Sequence, residues 1–320
     1  MSYNVFVTCP IPQAGIDLLA VQCAPLDVGP GDRPIAKADL IEGVRGRDGV
    51  LCSIGQPIDE EVLAAAGKQC RVFANYGVGV DHIDLPAASR LGIVVTNTPG
   101  VLTDATADLA WALLMSAARR VVEGDRLVRS GEWTGWNPMQ LRGLDVAGAT
   151  LGIIGAGRIG TAVGQRSTGF RMKVLYVDQR ESPDLDAIGA RRVDLSTCLA
   201  ESDFVSLHTP LTEETCHLIS SAELKAMKPS AVLINTARGP VVDEAALVTA
   251  LKDGVIAAAG LDVYENEPVI TAELLALDNA VCLPHLGSAT RSTRSRMAEM
   301  AAADLLAVLS GREPGHRVVL

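Results

Sequence analysis

Three glycines and one carboxylate stand at a spacing that suits a phosphorylated ligand. Residues 150–154 (TLGII) are a short apolar run, Gly155-Ala156-Gly157-Arg158-Ile159-Gly160 follows at once, and a second apolar run over 173–177 closes on Asp178. Gly155 can take a tight turn, Gly157 lets the backbone approach a pyrophosphate, and Gly160 lets a helix pack on the strand. The unpaired N–H groups and positive end of that helix attract phosphate. Asp178, 18 residues past Gly160, is placed to accept hydrogen bonds from the adenosine ribose hydroxyls. A bare GxGxxG is a weak signal, but strand, helix and acid agree here. The chain is expected to bind a nicotinamide dinucleotide or something of its shape.

A second set of residues follows three later apolar runs. Thr236-Ala237-Arg238-Gly239 comes after 231–235, Asp262 with Glu265 and Glu267 after 257–261, and Pro284-His285 after 281–283. Ligands on open α/β sheets bind beyond the carboxyl ends of the strands, so these groups should share an edge with the glycine turn. A nicotinamide moves a hydride, so the oxygen on the partner carbon must gain or lose a proton. Histidine titrates in the right range, a carboxylate on its other ring nitrogen would fix the tautomer, and a guanidinium can clamp a carboxylate. His285, Glu267 and Arg238 meet those needs, with Asp262 better placed for the nicotinamide carboxamide. The duller readings are a strand cap for His285 and an edge ion pair for Arg238. Glu265 reads as a solvated loop residue, and His208 as lining the cofactor cleft or satisfying a strand end. His82, His217 and His316 read as surface or packing residues. A single nearby His and no thiolate pair give no metal-ligand pattern.

These groups need strands and helices in alternation to hold them. Strands are predicted over 3–8, 48–53, 71–75 and 92–96, with helices over 12–21, 59–66 and 85–89. That is a small doubly wound parallel-sheet domain. The turn Tyr76-Gly77-Val78-Gly79-Val80-Asp81-His82 lacks a third glycine. It reads equally as an ordinary turn or as a nest in which the N–H groups of Val78 and Gly79 hold a carboxylate. Asn97-Thr98-Pro99-Gly100 is a breaker cluster and hinge candidate. A long helix is predicted over 103–120. The stretch 126–148, with Trp133 and Trp136, reads as irregular, either packed on its own domain or embracing a second subunit. Further strands over 203–208, 231–235, 257–262 and 280–283, with helices over 221–227 and 243–253, complete a Rossmann sheet. A final helix over 289–309 is expected to return to the first domain.

Composition excludes some partners. Of 320 residues, 48% are apolar and 21% charged, the net charge is −10, and the pI is near 5.0. That balance argues against nucleic acid or an anionic membrane surface. The seven cysteines are scattered and never spaced CxxC, which reads as reduced thiols in a cytoplasmic setting. No signal-peptide pattern and no span-length apolar run are seen.

The segments YGVGVDHID, TLGIIGAGRIG, YVDQR, SLHTPLT, LINTARGPVVDEAAL, AAAGLDVYENEP and LPHLGSAT together resemble the D-isomer-specific 2-hydroxyacid dehydrogenase family over essentially the whole chain. The resemblance implies a Rossmann domain (99–289) inserted in a flavodoxin-like substrate domain (1–98 and 290–320), an active site in the cleft between them, and a homodimer. It implies catalytic roles for Arg238, Glu267 and His285, and carboxylate binding at Val78 and Gly79. Thr106, Gly157, Arg158, Ile159, Asp178, Pro210, Thr215, Thr236, Asp262 and Gly287 fall on cofactor-contacting positions. GEWTGWNPMQLRG is similar to glyoxylate and hydroxypyruvate reductases, in which a tryptophan matching Trp136 reaches the neighbour's active site. Asp178 would repel a 2′-phosphate, which favours NAD(H), while Arg180 keeps NADP(H) admissible. The expected activity is reduction of small 2-oxo acids, glyoxylate and hydroxypyruvate first. The rivals are D-lactate, 2-ketogluconate or 3-phosphoglycerate as substrate, or a corepressor-like dinucleotide sensor.

Overall fold

Two all-parallel sheets organise the chain, each flanked by its own helices. The computed structural model describes residues 2–31 and 35–319. One unit comprises Met1–Leu102 with Ser288–Leu320, the other Thr103–Gly287. The sequence placed those boundaries at 98/99 and 289/290, a few residues away.

In the first unit the strands are β1 (Tyr3–Val7), β2 (Cys23–Val28), β3 (Gly49–Ser53), β4 (Val72–Tyr76) and β5 (Val94–Thr96), in the order β2-β1-β3-β4-β5. This is the flavodoxin-like order, with its switch point between β1 and β3. The inner strands β3 and β4 (GVLCS, VFANY) are buried on both faces, as parallel strands covered by helices must be. The helix Arg291–Leu309 covers one face through Ala301, Ala302 and Leu305, so the end of the chain completes the core begun by its start. Thr290 caps it, its hydroxyl accepting the Thr293 N–H at 3.0 Å.

The second unit holds β6 (Thr150–Ile154), β7 (Lys173–Val177), β8 (Arg191–Arg192), β9 (Phe204–Leu207), β10 (Val232–Asn235), β11 (Ala258–Leu261) and β12 (Ala280–Cys282). Their order, β12-β11-β10-β9-β6-β7-β8, reverses direction between β6 and β9. That crevice is where an open sheet of this kind takes a dinucleotide. The helix Thr103–Ala118 lies on one face, burying Ala110, Trp111, Leu113 and Leu114 among Ile153, Val232 and Ile234. Trp111 stacks on Phe170, with ring centroids 4.8 Å apart, and its indole N–H donates to the Val163 carbonyl at 3.0 Å. Leu207, Leu233 and Leu261 fill the other face.

Several elements differ from the sequence reading, β8 and the helices Pro183–Asp186, Leu195–Glu201 and Ala272–Leu275 among them. Edge strand β2 and the helix Lys37–Val44 were not foreseen, because β2 (CAPLDV) carries a proline and shows no alternation. Part of the stretch read as irregular is helical: Val121–Arg129 forms a helix with no buried residue.

Candidate active site

The glycine turn closes β6 against β9. Gly155 has φ +95°, and a Cβ there would stand 2.7 Å from the His208 backbone, so no other residue fits without strain. A Cβ at Gly160 would collide with the Gly155 carbonyl, whereas around Gly157 there is open space. Gly157 precedes the helix Arg158–Arg166, whose first turn has no side-chain cap and no acidic residue. Arg158 and Ile159 form that first turn. The local field there favours an anion. Asp178, just beyond β7, accepts the Ala156 N–H at 2.8 Å and the Arg180 N–H at 3.0 Å, so it borders the glycine turn.

Whether these residues fit a dinucleotide can be judged from what they leave open. Beyond the space at Gly157, the buried atoms His208 Nδ1, Thr209 Oγ1 and Thr236 Oγ1 have no hydrogen-bond partner among the described residues. All three follow strands at the carboxyl edge of the sheet, where a polar ligand would satisfy them. Burial pushes His208 down to about 3, so its ring is neutral, with Nε2 2.8 Å from the Ser206 hydroxyl. Thr215 folds its loop by donating to the Pro210 carbonyl at 2.6 Å. Thr106 donates to the Gly287 carbonyl at 3.2 Å, so two expected cofactor contacts from distant parts of the chain meet. The set fits the group.

The groups expected to react stand on the same edge, past β10, β11 and β12. His285 Nδ1 lies 2.9 Å from Glu267 Oε2, and Glu267 Oε1 accepts the Tyr264 N–H at 3.0 Å. Burial works to raise the Glu267 carboxyl, but the hydrogen bond and charge of His285, the Tyr264 N–H and the Arg238 charge outweigh it and hold it below the ordinary range. Arg238 is thus close enough for its field to act on the pair. Its main chain is anchored by Asn235 Nδ2, which donates to the Arg238 carbonyl at 2.9 Å.

His285 has φ +56°, a left-handed backbone that costs a non-glycine residue roughly 1–2 kcal/mol. Asp262 explains how that is sustained. Its carbonyl accepts the His285 N–H at 3.0 Å, and its two carboxylate oxygens accept the N–H groups of Leu286 at 2.6 Å and Gly287 at 2.7 Å. One residue therefore collects three consecutive amides and fixes the turn that aims the imidazole. Burial raises the Asp262 carboxyl, against the opposing pull of the Leu286 N–H and the His285 charge. Tyr264 adds a tether, its hydroxyl donating to the Leu283 carbonyl at 2.8 Å.

Three residues set aside in the sequence, His217, Glu265 and His316, have partners here. His217 Nε2 and Glu265 Oε1 lie 2.8 Å apart, so Glu265 is not a free loop carboxylate. His316, in the first unit, pairs with Asp304 at 2.8 Å. The Val78–Gly79 loop, also in that unit, is held by its carbonyls. Asn75 Nδ2 donates to Gly77 O at 3.1 Å and Gly79 O at 2.8 Å, and Asn97 Nδ2 to Val78 O at 2.8 Å. These bonds use no loop amide. Trp136 is 84% exposed, and Trp133 and Met139 beside it are exposed as well. No group of His, Cys, Asp and Glu among the described residues could hold a metal ion.

Residues 111–287 match the family described as D-isomer specific 2-hydroxyacid dehydrogenase, NAD binding domain. The glyoxylate reductase of Korarchaeum cryptofilum is 50% identical over 321 residues, spanning 99% of this chain and 96% of that protein. The crystal structure of the TT0316 protein of Thermus thermophilus superposes with a TM-score of 0.92 at 48% identity, covering 99% of this chain and 100% of that one. That of the NADPH-dependent glyoxylate/hydroxypyruvate reductase of Sinorhizobium meliloti, in complex with NADP and malonate, has a TM-score of 0.87 at 32% identity, covering 100% and 97%.

Proposed function

The chain belongs to the D-isomer specific 2-hydroxyacid dehydrogenase family, and from that we propose that it reduces glyoxylate, and hydroxypyruvate with it, to the 2-hydroxy acid. The observation that carries this reading is the His285–Glu267 pair at 2.9 Å, on a left-handed turn, within the field of Arg238. The bound dinucleotide supplies the hydride. Arg238 binds the substrate carboxylate and polarises the adjacent carbonyl. His285 donates the proton to the carbonyl oxygen through Nε2, while Glu267 on Nδ1 stabilises the imidazolium and fixes its orientation. In the oxidative direction the same imidazole, neutral, takes the proton back. Val78 and Gly79 offer amides to the substrate carboxylate, and their pinned carbonyls support that role.

Gly155, Gly157, Arg158, Ile159 and Gly160 would take the pyrophosphate, and Asp178 the ribose. Thr106, Pro210, Thr215, Thr236, Asp262 and Gly287 would line the rest of the cofactor site. A carboxylate at 178 favours NAD(H). NADP(H) is the second reading, because Arg192 donates to the carbonyls of Asp178 and Gln179 and so brings positive charge to the same corner as Arg180. The exposed Trp133, Trp136 and Met139 support a homodimer in which Trp136 borders the neighbour's substrate.

A steady-state screen of 2-oxo acids with NADH and NADPH tests the reading. Glyoxylate with NADH is expected to give the highest kcat/KM. A protein that binds NADH but oxidises none of it with any 2-oxo acid would be a sensor and would overturn the proposal.

A further inference from the structure

The segment bearing Glu267 and the segment bearing Arg238 are locked together by an exchange of hydrogen bonds. The Glu244 N–H donates to Glu265 Oε2 at 3.1 Å, and the Glu265 N–H donates to Glu244 Oε2 at 3.1 Å. Glu244 Oε1 also accepts the Thr271 N–H at 3.0 Å and the Thr271 hydroxyl. One carboxylate, 8% exposed, thus grips the chain on both sides of Glu267, at 265 and at 271. Glu244 begins the helix Glu244–Lys252, whose opening amides have no partner within the helix. Glu265 satisfies one of them, and the Asp243 side chain accepts the Ala246 N–H at 2.9 Å.

The Arg238 side of this lock is equally constrained. A Cβ at Gly239 would collide with the Tyr264 backbone, so the two segments touch with nothing between them. His217 holds the remaining Glu265 oxygen at 2.8 Å, while its backbone N–H donates to the Pro240 carbonyl at 2.8 Å. A buried carboxylate is costly unless its oxygens are satisfied, and the Glu244 carboxylate meets three donors. The common effect of these contacts is to fix where Glu267 stands.

We propose that Glu244 is a positioning residue, which through the Glu265 amide and Thr271 holds Glu267 against the His285 ring. The inference rests on the catalytic reading of Arg238, Glu267 and His285. A loosened Glu267 would leave the imidazolium less stabilised, so reduction should lose rate and lose its protonated catalyst at lower pH.

The test compares pH profiles of kcat/KM for glyoxylate reduction in the wild type, Glu244→Ala, Glu267→Gln and the double variant. Glu244→Ala should lower kcat by roughly tenfold or more, the worth of one to two charged hydrogen bonds. Its basic limb should move toward lower pH, as in Glu267→Gln, and an NMR titration of the His285 ring in the substrate-free protein should move the same way. NADH affinity, read by fluorescence, should stay near wild type. In the Glu267→Gln background, Glu244→Ala should cost less than about threefold more, because both act through one contact. Should Glu244→Ala fail to fold, Thr271→Val removes one of the three donors and should give a smaller shift in the same direction. A wild-type basic limb in the folded Glu244 or Thr271 variant, or fully multiplicative losses in the double variant, overturns the proposal. If Glu267→Gln itself leaves rate and limb unchanged, the catalytic reading falls and this inference with it. If Glu267→Gln moves both and Glu244→Ala moves neither, only the inference falls.

Discussion

The carboxyl edges of the two sheets are built alike and equipped differently. Past β10, β11 and β12 the chain presents ionisable side chains, Arg238, Glu267 and His285, each on a braced segment. Past β4 it presents main chain, the Val78–Gly79 loop, whose carbonyls are tied down by the buried amide of Asn75 and by Asn97. One edge suits proton and charge chemistry, the other recognition of a carboxylate by backbone amides. A parallel sheet offers the same open edge in both cases, and the turn sequences decide its use.

That contrast has measurable consequences. His285→Ala should reduce kcat roughly 10²–10⁴-fold with little change in NADH affinity, the scale of general acid–base catalysis. A fully active variant would mean that the side-chain edge does not move the proton. Arg238→Ala should raise KM and lower kcat together, about 10–10²-fold in kcat/KM, the worth of charged hydrogen bonds. Unchanged kinetics would remove the guanidinium from the site. Asp178→Ala should relax the preference for NADH over NADPH by about tenfold, the scale of one charged contact. A wild-type enzyme already preferring NADPH would reverse that assignment.

On the main-chain edge, Asn97→Ala should raise KM for glyoxylate about 3–10-fold while sparing kcat, as befits loss of one neutral hydrogen bond to the loop. A fall in kcat with KM unchanged would break the division between the two edges. The smallest effect concerns stability. His208 is neutral in the folded protein down to about pH 3, whereas in the unfolded chain it takes up a proton near pH 6.5. It therefore contributes a loss of stability as pH falls below about 6.5, because the unfolded state binds the extra proton. His208→Gln should flatten the dependence of Tm on pH between about 6.5 and 4, and an unaltered slope would show that the ring is accessible to protons when folded.

Much of this was visible in residue order. Charged residues in the turns that follow apolar runs singled out Arg238, Glu267 and His285 as candidates, because a strand's end is where a side chain leaves the core. The glycine spacing with Asp178 marked the nucleotide turn for the same reason. Edge strand β2 escaped because it buries too little to impose a period, and so did the helix Val121–Arg129, none of whose residues is buried. The exchange between Glu244 and Glu265 escaped too. Their partners are main-chain amides, which every residue carries, and no residue type announces which amide a carboxylate will meet. Asp262 was expected at the carboxamide, yet nothing in its neighbours signalled that it would gather three amides beneath His285.

The amino-acid order alone determined the alternating architecture, the nucleotide turn and the identity of the ionisable groups, because these depend on local periodicity, on glycine sterics and on side-chain chemistry. Only the folded chain decided that Glu267 meets Nδ1 of His285, that Asp262 sustains a left-handed turn, and that Glu244 grips the chain on either side of Glu267. Those contacts join segments about twenty residues apart. Their geometry is set by strand register and by which backbone amides the sheet leaves open, quantities that exist only once the core has closed.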